Sequence, residues 1–140
     1  MLSAHAKLAS STQSDGLTPL FYASKFGHTS IVKLLLEEGA DPNLYVKRWW
    51  MEPTCIHAAT MRGHIDVVKL LLNAGANINC RNEHLYTPLI TASRWNHLET
   101  AHYLLENGAD PNLTDNNGMR AVTWAGDQRL ELKQLLEAYS

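Results

Sequence analysis

Only two cysteines occur among the 140 residues, and no apolar run approaches the length of a membrane span. Cys55 and Cys80 are too few for a disulfide framework, which points to an intracellular chain, cytoplasmic or nuclear, with free thiols. About 20 consecutive apolar residues are needed to cross a bilayer, so no membrane insertion is expected. The opening MLSAHAKLASSTQS lacks the sustained apolar centre of a secretory leader. Positive charge is not in excess: the formal net charge is −2, with acids and bases interspersed. A general nucleic-acid binder needs a basic face, so that partner class is not expected. Catalytic signatures are missing as well. The chain has no glycine-rich phosphate loop, no nucleophile elbow and no His-Glu-x-x-His run, and proposes neither an enzyme nor a cofactor.

What the chain does have is repetition. TPLFYASKFGHTSIVKLLLEEGADPN starts at Thr18, TCIHAATMRGHIDVVKLLLNAGANIN at Thr54 and TPLITASRWNHLETAHYLLENGADPN at Thr87. A worn fourth copy, RAVTWAGDQRLELKQLLEAYS, starts at Arg120. Thr18 to Thr54 is 36 positions; Thr54 to Thr87 and Thr87 to Arg120 are 33 each.

Each copy reads as one supersecondary unit. Thr18 and Thr87 suit an N-cap, with Pro19 and Pro88 at the first helical position, where a missing N–H costs nothing. Cys55 stands in the proline place of the second copy. Small residues Ala23, Ala59 and Ala92 mark a close approach between helices. Gly27 and Gly63 end the first helix in the left-handed region, and Asn96 replaces them in the third copy. A spacing of three and four then predicts a second helix with one buried face. That face holds Ile31, Leu34 and Leu35; Ile65, Val68, Leu71 and Leu72; and Leu98, Ala101, Leu104 and Leu105. Gly39, Gly75 and Gly108 close it, and Asp41-Pro42-Asn43, Asn77-Ile78-Asn79 and Asp110-Pro111-Asn112 lead into a finger towards the next copy. No unit can bury its apolar face alone, so neighbours must stack.

A period near 33 with a Thr-Pro-Leu opening resembles the ankyrin repeat family. The resemblance covers nearly everything after Asp15. It implies an all-α solenoid of stacked helix-turn-helix units carrying β-hairpin fingers. Residues 1–14 read as a flexible lead or the remnant of an upstream repeat. Residues 15–140 read as the repeat domain, with full repeats starting near 15, 51 and 84 and a degenerate capping repeat from about 117.

Two departures stand out. Asn43 to Thr54 is eleven steps, against eight from Asn79 to Thr87, so the finger containing LYVKRWWMEP is three residues longer. The glycine two residues before the capping threonine is Gly16 in the first copy, but Glu52 and Leu85 in the next two, which points to altered finger tips. In the fourth copy, two residues are missing at the end of the first helix.

Seven histidines invite a metal or catalytic reading. Recurrence of His28, His64 and His97 at the repeat period explains them as partners of turns and neighbouring units. Cys55, His57, Cys80 and His84 have the ligand types of a zinc site. Their places in the repeat separate a helix from a finger tip, so no metal is assigned.

Ankyrin arrays are commonly binding modules, and the resemblance implies contact through finger tips and first-helix ends. Carried onto this chain, the helix ends supply Lys25, Phe26, Met61, Arg62, Arg94 and Trp95. The fingers supply Tyr45, Trp49, Trp50, Met51, Arg81, His84 and Tyr86. Trp, Tyr, Arg and Met are the residues enriched at interfaces. One of the adjacent Trp49 and Trp50 should point away from the other in an extended segment. Trp124 reads as packing. The main expectation is a non-catalytic, monomeric module that binds another protein. One alternative is a substrate for an asparaginyl hydroxylase at Asn43, Asn79 and Asn112, each eight residues after a leucine. Another is a structural or self-associating segment of a longer array.

Overall fold

Thr18, Thr54 and Thr87 each begin a helix by turning a side-chain oxygen onto the first turn. Thr18 Oγ1 accepts from the Phe21 N–H at 3.2 Å, Thr54 Oγ1 from His57 at 3.4 Å and Thr87 Oγ1 from Ile90 at 3.1 Å. In the computed structural model, which describes residues 17–140, the resulting pairs are α1 (Pro19–Lys25) and α2 (Thr29–Glu37), α3 (Cys55–Met61) and α4 (Ile65–Asn73), α5 (Pro88–Arg94) and α6 (Leu98–Glu106), and α7 (Ala121–Ala125) and α8 (Leu130–Tyr139). The expectation for residues 1–14 lies outside the described residues. Helix α7 is the short one, at five residues against seven, as the two-residue deletion requires.

First helices pack on first helices and second on second, giving a solenoid whose core runs along the stack. Ala58, Ala59 and Ala92 are fully buried, so the first helices approach closely. Val67, Val68, Leu71, Ala101 and Leu104 are likewise at 0% exposure. Each such valine or leucine contributes about 1.5–3 kcal/mol on burial.

The α2 face is corrected by the structure. Val32 and Leu35 are the buried pair, while Ile31 and Leu34 are 49% and 51% exposed. The reason is their direction along the stack. Val67 and Thr100 occupy the Ile31 position in the next two units and are 0% and 2% exposed. That position faces the preceding unit, and none precedes α2 among the described residues.

Histidines tie the units together. His64 and His97 start α4 and α6 without capping them. Their Nε2 atoms instead lie 3.1 Å from the Lys25 carbonyl and 2.8 Å from the Met61 carbonyl of the unit before. In the fourth copy Arg129 does the same work, donating to the Ser93 and Arg94 carbonyls at 2.6 and 2.8 Å.

The fingers are closed by single backbone bonds, with no strand assigned among the described residues. Asn82 N–H donates to Tyr86, Asp115 to Met119 and Val46 to Pro53. Asn82 Oδ1 accepts from His84 and Tyr86, and Asp115 Oδ1 from Asn117 and Met119, so one side chain holds each tip. Val46 has no such acceptor. Its longer finger is held by two successive turns, Trp49 N–H to Val46 and Glu52 N–H to Trp49, which is what the three extra residues build.

Leu85 sits at φ +62 in the place where Gly118 has φ +76. The left-handed region is unfavourable for a residue with a Cβ. Leu85→Gly is therefore expected to stabilise the fold by about 0.5–1 kcal/mol, after the entropy a glycine loses on folding. Denaturant unfolding checks this; an unchanged or lowered midpoint contradicts it.

Candidate functional site

The first-helix ends and the fingers form one continuous band of rings and cations. It starts at the first helix end. Lys25 Nζ lies 5.9 Å from the Phe26 ring and 5.4 Å from the Trp49 ring, linking α1 to the long finger. Trp49 turns inward and packs at 6.5 Å on Phe21. Its neighbour Trp50 turns outward, 48% exposed, and meets His84 edge-on at 5.0 Å. His84 lies 5.7 Å from Tyr86, and Tyr86 lies 5.7 Å from Trp124. The far end of the band is Arg94, whose guanidinium carbon is 5.5, 5.7 and 5.1 Å from the centroids of Tyr86, Trp95 and Trp124.

The predicted residues therefore divide. Phe26, Tyr45, Trp50 and Trp95 are exposed. Lys25, Trp49, Met51, Met61, Arg62, Arg81, His84 and Arg94 are half-buried. Tyr86 is corrected: at 8% exposure it is part of the core, because His84, Arg94 and Trp124 enclose its ring. Arg62 is not a free cation. Nη1 and Nη2 grip the two oxygens of buried Glu52 at 2.6 and 3.1 Å, and Nη1 also reaches the Ala58 carbonyl at 3.2 Å. This pair fixes the long finger against α3. Arg81 is committed too, donating to the Thr114 carbonyl at 2.6 Å.

Glu52, Asp115 and Trp124 were outside the predicted set. Asp115 Oδ2 accepts from Trp124 Nε1 at 2.9 Å, which orients the indole towards Tyr86 and Arg94. Burial raises the Asp115 carboxyl, but the bonds from Met119, Trp124 and Asn117 outweigh it and hold it below the usual carboxylate range. Loop spacing alone carried no signal that a finger aspartate reaches a tryptophan nine residues on.

The repeated asparagines are structural in this arrangement. Asn43 Nδ2 donates to the Gly75 carbonyl at 2.9 Å and its Oδ1 accepts from Asn77 N–H at 2.8 Å. Asn79 Oδ1 accepts from Asp110 N–H, and Asn112 Oδ1 from Arg120.

The candidate zinc residues do not converge. His57 is buried, with Nδ1 2.8 Å from Thr54 Oγ1 and Nε2 3.0 Å from the Tyr86 carbonyl. Cys80 lies 3.7 Å from His57 Nδ1, whereas His84 is among the rings. Burial pushes the Cys55 thiol up to about 12 and the Cys80 thiol up to about 11. Among the described residues no group of three or more His, Cys, Asp or Glu could hold a metal ion. No helix there is long and apolar enough to cross a membrane.

The family model for ankyrin repeats in three copies matches residues 45–115, and the single ankyrin repeat model matches residues 15–46. The chain is an ankyrin repeat protein. A putative ankyrin repeat protein, L92, of Acanthamoeba polyphaga mimivirus is 36% identical over 134 residues, covering 90% of this chain and 32% of that protein. The ankyrin repeat and KH domain-containing protein mask-1 of Caenorhabditis elegans is 34% identical over 101 residues, covering 72% and 4%. Alpha-latrocrustotoxin-Lt1a of Latrodectus tredecimguttatus is 32% identical over 111 residues, covering 79% and 8%. The chain thus spans at most about a third of these relatives. Ankyrin repeats are generally protein–protein interaction modules and typically non-catalytic.

Proposed function

We propose that this ankyrin repeat protein is an intracellular, non-catalytic module that binds another protein through the band from Phe26 to Trp95. The observation that carries this reading is the row of exposed rings, Phe26, Tyr45, Trp50 and Trp95, along first-helix ends and fingers. Trp and Tyr give large contact area at low rotamer cost, and Arg beside them matches the composition of interface hot spots. Two arginines of the band are already fixed: Glu52 holds Arg62, and Arg94 lies over Trp95. A surface so pre-organised has less ordering entropy to lose on binding.

Trp95→Ala is expected to weaken partner binding by about 2 kcal/mol, roughly thirtyfold, with the fold intact. Affinity capture from native lysate with wild type and variant, beside thermal melts of both, makes the comparison. Equal recovery of the same partner by a folded Trp95→Ala protein places the binding surface elsewhere.

Self-association has one observation behind it, the exposed Ile31 and Leu34 on the first of the described units. In that reading another unit covers them, and sedimentation at several concentrations distinguishes the two. Hydroxylation of Asn43, Asn79 and Asn112 is less favoured, because their side chains already bridge neighbouring turns and Arg120.

A further inference from the structure

We propose that the partner seats a carboxylate on Arg94, so that the segment recognised is an acidic peptide with an apolar side chain beside its acid. This rests on the binding band described above. A guanidinium carries five N–H donors in a fixed fork that matches a carboxylate. Arg94 closes α5 and is held over Tyr86, Trp95 and Trp124. Only one acceptor meets its side chain among the described residues, Tyr86 Oη at 3.3 Å from Nη1.

Three acids of the fingers and first-helix ends already have partners. Glu52 is gripped by Arg62, and Asp115 is filled by Asn117, Met119 and Trp124. Asp127, just past α7, is paired with Lys133. Arg94 thus has a cation's full charge, a fixed plane and no carboxylate among the described residues. The same band carries Lys25, Lys47, Arg48 and Arg81, with Glu83 and Asp127 as exposed acids, although the whole chain is at −2. The second helices carry six acids, Glu37, Asp66, Glu99, Glu106, Glu131 and Glu137, against three lysines, Lys33, Lys69 and Lys133, and so are net negative. A positive band on a negative molecule steers an acidic partner to this side. Exposed Trp95 and Trp50 flank Arg94 and the His84–Tyr86 pair, which places apolar contact beside the charge.

The test pans random short peptides displayed on phage against the intact chain. Enriched sequences should share an acidic residue next to an aromatic or aliphatic one. A synthetic consensus peptide should bind Arg94→Gln about thirtyfold more weakly and Arg94→Lys about tenfold more weakly, since lysine keeps the charge but loses the fork. Its affinity should fall as salt rises. Exchanging the peptide's acid for its amide reads the same contact from the other side, whether or not Arg94→Gln folds. Peptides that lack an acid, yet are lost with Trp95→Ala, overturn the carboxylate and leave the band standing. Acidic peptides indifferent to both Arg94→Gln and Trp95→Ala overturn both readings, and no enrichment at all overturns the carboxylate.

Discussion

Gly63→Ala is expected to destabilise the fold by about 3 kcal/mol, whereas Gly39→Ala should cost only about 1 kcal/mol. Both glycines are left-handed, at φ +71 and +91. They differ in what stands over them. A Cβ on Gly63 would lie 2.6 Å from His97 Nδ1, while one on Gly39 would meet nothing within 4 Å. His97 cannot simply swing away, because its Nε2 is bonded to the Met61 carbonyl at 2.8 Å. The backbone term is shared, about 1 kcal/mol, and overpacking adds about 2 kcal/mol at Gly63 alone. In a His97→Ala background, Gly63→Ala should therefore fall to the cost seen at Gly39. Denaturant unfolding of the four proteins in the cycle measures this coupling. Equal costs at Gly63 and Gly39 would refute the steric argument. The same geometry recurs at Gly27, whose Cβ would lie 2.8 Å from His64 Nδ1. Asn96, at φ +59, stands in the corresponding place of the third copy, where the fourth copy supplies Arg129 instead of a histidine.

Acid should unfold this protein partly through His57. Burial holds the His57 imidazole down to about 4 from an ordinary 6.5, against the bonds to the Tyr86 and Cys80 backbone, which raise it. The folded state keeps the ring neutral, with one nitrogen donating to the Tyr86 carbonyl and the other facing the Thr54 hydroxyl. Below pH 6.5 the unfolded chain takes up a proton that the folded chain does not. Stability is therefore fully present above pH 6.5 and declines as pH falls towards 4, by about 3 kcal/mol. Below 4 both states are protonated and the loss levels off. Carboxylates titrate in part of the same range, so the measurement is a difference. The stability gap between wild type and His57→Gln should narrow by about 3 kcal/mol from pH 7 to pH 4. A gap that stays constant with pH means that His57 titrates alike in both states.

Much of the fold was legible because local chemistry and tertiary role coincide in a repeat. The capping threonines, the left-handed glycines and the alanines of the first helices each do in space what their chemistry favours in a short peptide. The candidate surface was legible only in outline. Tyr86 and Trp95 are both amphipathic aromatics near finger or helix end, yet one is 8% and the other 47% exposed. Nothing in their own neighbourhoods separates them. Tyr86 is buried by Arg94 and Trp124, which arrive from different elements. Ile31 and Leu34 were misplaced for a related reason. Helical spacing gives the face of a helix, but not which unit, before or after, lies against it.

The order of residues by itself determined the repeat, its helix pairs and their turns, since period, caps and glycines act over a few neighbouring positions. Only the tertiary structure decided which rings face outward, which arginine is paired with a carboxylate and which is packed among rings. Those outcomes depend on groups ten to thirty-six positions apart meeting in space, as Arg62 meets Glu52 and Arg129 meets Ser93. Such meetings follow from packing, and no local pattern encodes them.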